Sequence, residues 1–145
     1  MKSKLIAEGT ERVFALIFEK GDEVIANLTS FAKDHNLVAC HFTAIGALQD
    51  AVLGYFDKNR KDYKKIPVKE QVEVLVLAGD IALKDLEPQV HAHTVLGRPD
   101  GTTLGGHLLE AHVWPTLEVI LEQSPGYLKR VVDRDSGLAL IDLSE

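Results

Sequence analysis

The chain is poor in cysteine. Cys40 is the only one, beside a single methionine, a single tryptophan and an aromatic content of 6%. A lone cysteine excludes an intrachain disulfide and any zinc site built from several thiolates. Long apolar runs are missing too. Crossing a bilayer takes about 18 or more consecutive apolar residues, and no run approaches that, so no membrane partner is expected. The segment from Met1 to Thr10 lacks the apolar core of a secretory signal, which makes the cytoplasm the expected location. Positive charge is in deficit: 16 Lys and Arg against 22 Asp and Glu leave a net charge of −6. Such a domain does not wrap nucleic acid by bulk electrostatics, because phosphate binding needs clustered cations. Several catalytic signatures are also absent: there is no P-loop, no G-x-G-x-x-G after a strand, no G-x-S-x-G elbow and no cysteine–histidine pairing.

What is present fits one globular domain spanning residues 1–145, with 46% hydrophobic and 26% charged residues. A chain of this length buries about 70% of the surface its unfolded form exposes and needs no covalent staple. Residues 13–18 form a continuous apolar run of the kind found in strands buried on both faces. A helix is expected next, capped by Asp22, with Val24, Ile25, Leu28, Phe31 and Ala32 at helical spacing and Asn36 as its stop. Strands are then expected at 38–44, 51–56, 71–78, 90–96, 105–113, 116–121 and 138–143. Gly46-Ala47 and Gly79-Asp80 read as breaks between them, and 127–132 as a short helix or turn. One early helix followed by many strands implies an α+β fold built on a mixed, largely antiparallel sheet.

Charge is unevenly placed. Between Asp57 and Glu70 lie six basic residues, Lys58, Arg60, Lys61, Lys64, Lys65 and Lys69, and three acidic ones, so this segment is +3 on a remainder of −9. It reads either as a solvated loop between strands or as a contact patch for nucleic acid or another anion.

The histidines carry the chemistry. His91 and His93 are two apart, and on a strand residues i and i+2 project from one face. The turn signal Gly97-Arg98-Pro99-Asp100-Gly101 follows, and then the return segment Gly105-Gly106-His107. A hairpin centred on Asp100 sets His93 opposite His107, with Cβ atoms about 5 Å apart, unless the two glycines introduce a bulge. Three imidazoles would then converge. They suit zinc, and also nickel, copper or iron. Three ligands on a four-coordinate zinc leave one position open, as catalytic and ligand-binding sites do, and zinc lowers the pKa of bound water towards about 7. The alternative is a set of half-buried histidines hydrogen-bonded within the sheet. His35, His41 and His112 read as structural; His112 has the opposite strand parity from His107.

Glu73 lies in an apolar run, Val72-Glu73-Val74-Leu75, and Glu118 in another, Leu117-Glu118-Val119. Each is either a carboxylate on an open sheet face or a buried group needing a partner. In the second case it could orient a ligand histidine or act as a general acid or base.

These residues resemble those of the PPC domain (plants and prokaryotes conserved). The likeness rests on His91-Ala92-His93-Thr94-Val95-Leu96-Gly97-Arg98-Pro99-Asp100-Gly101, on Gly105-Gly106-His107-Leu108, and on Thr43-Ala44-Ile45-Gly46-Ala47-Leu48. Glu70-Gln71-Val72 stands where the family has Gly-Arg-Phe, and Glu73 is kept. The resemblance implies an α+β sheet with a packed helix and assembly as a homotrimer. It implies a metal, zinc above all, on His91, His93 and His107 in some members. It also implies a fold similar to acetolactate decarboxylase, an enzyme with a three-histidine zinc site. Plant members join the domain to AT-hooks and are nuclear DNA-binding regulators, and stand-alone prokaryotic members are often described as DNA-binding. Gly97-Arg98-Pro99 matches an AT-hook core, but Leu96 and Asp100 flank it in place of cations, and it reads as a plain turn. Two functions follow as expectations: a metal-binding homotrimer with a DNA-associated or regulatory role, or a zinc-dependent lyase or hydrolase with Glu73 or Glu118 as its acid or base.

Overall fold

The computed structural model describes residues 1–144. Nine strands and one helix follow in the order β1 (Lys2–Ala7), β2 (Arg12–Glu19), α1 (Val24–Asp34), β3 (Ala39–Asp57), β4 (Asp62–Val68), β5 (Val72–Lys84), β6 (Glu87–Gly97), β7 (Thr103–Gln123), β8 (Lys129–Val132) and β9 (Ala139–Asp142). The expected α+β class with one early helix is what forms.

Two long strands organise the sheet. β3 and β7 run antiparallel along most of their lengths. The first half of β3 also pairs with β5 and its second half with β4. The first part of β7 pairs with β6, and its last part with β2. Because β5 pairs with β6 in turn, the circuit β3–β7–β6–β5 returns to β3 and closes a small barrel-like wall. β1 extends the sheet beyond β2, and a small hairpin, β8–β9, hangs from the end of β5.

The two long strands are read as four shorter ones from sequence. Gly46 does not end β3; it marks a bulge where the registers with β5 and β7 shift. Gly46 has φ +149°, and a Cβ there would come within 2.8 Å of Leu117 Cα, so the missing side chain lets the two strands approach. β5 likewise passes through Gly79-Asp80 and turns at Asp85 and Leu86, both with positive φ. The 127–132 segment, read as helix or turn, contains β8. The basic segment from Asp57 to Glu70 is not one loop, since β4 occupies half of it and residues 58–61 form the turn of the β3–β4 hairpin.

The core lies between α1 and the inner face of the sheet. Val24, Leu28, Phe31 and Ala32 are the buried stripe of the helix. They share one buried cluster with Phe14, Leu16 and Phe18 of β2, Phe42 and Leu53 of β3, and Leu117, Val119 and Leu121 of β7. Each fully buried Leu or Phe contributes about 1.5–3 kcal/mol. The cap of α1 is Glu23, not Asp22: its carboxylate accepts from Ala26 N–H at 2.6 Å, while Asp22 pairs with the amino terminus at 2.7 Å. Asn36 takes positive φ just past the helix, as its role as a stop requires. No helix among the described residues is long and apolar enough to cross a membrane.

Candidate metal centre

The β6–β7 hairpin turns where the sequence pattern places it. His93 pairs with His107, Thr94 with Gly106, Val95 with Gly105 and Leu96 with Leu104, the register of a hairpin centred on Asp100, with no bulge at the two glycines. His91 lies one pleat away on the same face as His93. The three imidazoles form a nearly equilateral group with every pair of ring centroids 5.2 Å apart. One nitrogen from each ring lies within 4.8 Å of the others.

The surroundings favour a cation between the rings. Burial, followed by repulsion from His91 and His93, pushes the His107 imidazole down to about 4, and burial together with His91 pushes His93 down as well. Both rings therefore offer lone pairs at neutral pH, the form in which imidazole ligates metal. His107 Nδ1 is buried with no hydrogen-bond partner among the described residues. A buried imidazole nitrogen without a partner is costly unless something fills its lone pair or accepts its proton.

Two groups that sequence reasoning missed complete the arrangement. Tyr63 reaches over from β4 and stacks on His107, with centroids 4.7 Å apart and an interplanar angle of 29°. Gly54 makes this possible: it pairs with His107 and Lys65 in one row, and a Cβ on it would meet the Tyr63 ring at 2.7 Å. Asp80 pairs with His91 across β5 and β6, its Oδ2 3.7 Å from His91 Nδ1. Its other oxygen receives a hydrogen bond from Arg130 Nη2 of β8. Burial alone would raise the Asp80 carboxyl. The hydrogen bond from Arg130, with charge from Arg130 and His91, outweighs it and holds the group below the ordinary carboxylate range. A carboxylate facing a ligand histidine is the usual orienting partner of a metal site.

The two glutamates lie elsewhere. Glu73 is exposed on β5, in register with Ala47 and Gly97. Ala78, the β5 residue beside His93, is five positions further along, roughly 16 Å at 3.3 Å per residue. Glu118 is exposed on β7 between Ile17 and Ile45, eleven positions beyond His107. Both take the open-face alternative, and within one chain neither joins the histidines. Asp80 holds the orienting position considered for Glu73. A pattern search for a carboxylate on an apolar strand passes it over, because Gly79-Asp80 reads as a bend.

The basic residues are all exposed. Lys58, Arg60 and Lys61 crowd the tip of the β3–β4 hairpin. Lys64 and Lys65 are adjacent on β4 and therefore point to opposite faces, Lys65 towards the face of Tyr63 and His107. His112 lies outside the group and pairs its Nδ1 with Asp50 Oδ1 at 2.7 Å. His35 closes the helix and stacks on Phe31.

Comparison with known proteins follows the same lines. A family model described as the Plants and Prokaryotes Conserved (PCC) domain matches residues 6–125. A plant- and prokaryote-conserved (PPC) protein from Pyrococcus horikoshii is 34% identical and superposes with a TM-score of 0.87 over 92% of this chain and 93% of that one. A metal-containing protein from Archaeoglobus fulgidus is also 34% identical, with a TM-score of 0.84 over 97% and 99% of the two chains. A protein from Bacteroides thetaiotaomicron, provisionally described as DNA-binding, is 26% identical with a TM-score of 0.87 over 97% and 96%. A Staphylococcus aureus protein similar to alpha-acetolactate decarboxylase shares 11% identity and a TM-score of 0.52 over 74% and 50%, a likeness of fold alone. No match is found among curated proteins.

Proposed function

The chain belongs to the plants and prokaryotes conserved domain family, and from that membership we propose a metal-carrying homotrimer with a DNA-associated, regulatory role. His91, His93 and His107 hold the metal, a zinc or another divalent transition ion. The observation that carries this reading is the convergence of one nitrogen from each of the three rings within 4.8 Å, backed by the unpartnered Nδ1 of His107 and the carboxylate of Asp80 at His91. The metal-containing relative from Archaeoglobus fulgidus is consistent with it. Elemental analysis of the purified wild type against His107→Ala is the test. Near-stoichiometric metal in the first and little in the second is expected; equal content in both overturns the site.

The homotrimer is supported by an apolar stripe on the outer sheet face. Ile17, Ile45, Leu75, Val76 and Val95 are all at least a third exposed and lie in a row across β2, β3, β5 and β6, interrupted on β7 by Glu118 between Ile17 and Ile45. Monomers rarely leave such a stripe open. The DNA-associated role draws on the β3–β4 hairpin, whose tip residues Lys58, Arg60 and Lys61 a trimer presents three times over, with Lys64 and Lys65 behind them. Gel-shift assays at about 50 and 200 mM salt test it, since phosphate contacts make affinity fall steeply with salt. A shift at low salt that weakens when Lys58, Arg60 and Lys61 are changed to Glu is expected. No shift at low salt removes direct DNA binding.

A second reading, a zinc-dependent lyase or hydrolase, is favoured by one feature: a cavity opens beside His91 and His107, where the free position of a three-histidine metal would be reached. Glu73 or Glu118 could serve there as acid or base only from a neighbouring subunit. His91→Ala that stays folded and trimeric while losing turnover of a candidate substrate supports this reading; a variant that unfolds or dissociates makes the metal structural.

A further inference from the structure

The cavity beside the histidines holds about 180 Å³ between the β6–β7 hairpin and the β8–β9 hairpin. Three of the side chains that line it each bury a polar atom with no partner among the described residues: Gln89 Oε1, His107 Nδ1 and Arg130 Nε. Arg130 is the most constrained. Its side chain is only 4% exposed, Nη2 is tied to Asp80, and Nη1 donates to the Ala139 carbonyl at 3.1 Å. The guanidinium is thus clamped at both ends with its Nε–H left over. A buried donor attached to a charged group is expensive to leave unmade, and native structures leave few such groups. The opposite wall is apolar, made by the Tyr63 ring and residues 138–140 of the β9 hairpin. A cavity of about 150 Å³ already accepts a benzene-sized guest, so this one is too large and too one-sided to be accounted for by a single water.

We propose that this cavity binds a small carboxylate with a short hydrocarbon tail, its oxygens taken by the Arg130 Nε–H and the Gln89 amide and its tail laid against Tyr63 and residues 138–140. The Gln89 amide can turn to present its NH₂ group in place of the oxygen. Asp80 already neutralises Arg130, and the histidines beside the cavity bring lone pairs, so these side chains alone leave no net positive charge there. Here the inference rests on the metal reading given above, because a divalent ion on the three rings supplies the positive charge. The ligand would sit between that ion and Arg130.

Butyrate is the probe, with 1-butanol as the neutral molecule of the same tail, followed by saturation-transfer difference NMR on the full chain after its metal content has been measured. Saturable butyrate binding that 1-butanol does not displace is expected. Arg130→Lys keeps a cation for Asp80 but loses the Nε–H, and should weaken butyrate by about tenfold or more, the usual cost of a hydrogen bond to a charged group. Gln89→Leu leaves the Arg130–Asp80 pair untouched and should weaken it too, which guards against a misfolded Arg130 variant. Butyrate bound no better than 1-butanol overturns the proposal, as does wild-type affinity in both variants. If the chain carries no metal, the metal reading falls by itself. Butyrate binding to that metal-free protein supports the pocket when it depends on Arg130 and overturns it when it does not.

Discussion

His93 and His107 are register partners on β6 and β7, and their rings meet edge to face with centroids 5.2 Å apart. The closeness has a consequence for the chain without metal. Burial and the neighbouring histidines hold the His107 pKa at about 4, below the ordinary histidine value of 6.5 that an unfolded chain would show. Between those two values the unfolded state binds more protons than the folded one, so stability rises with pH through that window. In the metal-free protein the His107 contribution to stability should therefore be fully present above about pH 6.5 and be lost progressively towards pH 4. Thermal melts across this range check it, with His107→Gln expected to flatten the profile. A wild-type profile already flat between the two values contradicts the burial of His107.

Glycine placement gives a second prediction, because two close approaches lie at different distances from the site. A Cβ on Gly79 would sit 2.6 Å from Phe42 Cζ and closer still to the His91 carbonyl oxygen. Gly79→Ala should push β6 away from β5, costing about 1–3 kcal/mol as overpacking does and loosening His91 in the same step. Gly46→Ala is equally crowded, against Thr116 and Leu117, but lies away from the histidines. It should destabilise comparably while a metal bound by the folded protein keeps its affinity. Denaturant melts paired with metal titration separate the two, and equal effects on metal affinity would count against the site.

The sequence made the hairpin legible and the strand lengths not. The Asp100 turn, the i, i+2 histidines and the return at His107 are local, and local turn chemistry sets register directly. β3 and β7 are different. Gly46 and the Trp114-Pro115 pair carry the signals of chain breaks, yet both strands run through them: at Gly46 the register shifts while β5 and β7 stay the neighbours of β3, after Pro115 β7 takes up β2, and a bulge costs less than ending the ladder. β1 and β4 escaped notice because every residue of β1 and most of β4 are exposed, so neither shows the alternation by which strands are read. Tyr63, Asp80 and Arg130 come from three separate strands, β4, β5 and β8, and only the long-range pairing of those strands with β3, β6 and β5 brings them to His91 and His107. No spacing rule joins them.

His112 supplies a pH prediction of opposite sign and independent of the metal centre. The hydrogen bond to Asp50 raises its pKa, helped by charge from Asp50, Glu110 and Glu23 and opposed by desolvation. A histidine raised on folding contributes its stabilisation fully below the unfolded pKa and loses it as pH rises through the folded one. The proton resonance of His112 should titrate above the ordinary histidine value of 6.5, and Asp50→Asn should bring it back down. Because the pair is more than a third exposed, the accompanying change in stability should be small. A titration unmoved by Asp50→Asn would show the contact to be absent in solution.

The outer stripe yields the last prediction. Ile45 is 61% exposed at the bulge of β3, with Ile17 beyond Glu118 on one side and Leu75 and Val76 of β5 on the other. Inside one chain it buries little, so Ile45→Lys should leave the fold and its melting temperature nearly unchanged, within about 0.5 kcal/mol for an exposed position. Between chains the same change sets a cation in the middle of an apolar contact, where an unpaired charge is costly. Analytical ultracentrifugation should find a trimer for wild type and mainly monomer for Ile45→Lys. Glu118→Gln makes a useful companion: it sits in the stripe without adding charge, and should leave the trimer intact or tighten it, because a buried carboxylate at the interface would be relieved. A monomeric wild type, or a trimer indifferent to Ile45→Lys, would detach the apolar stripe from assembly altogether.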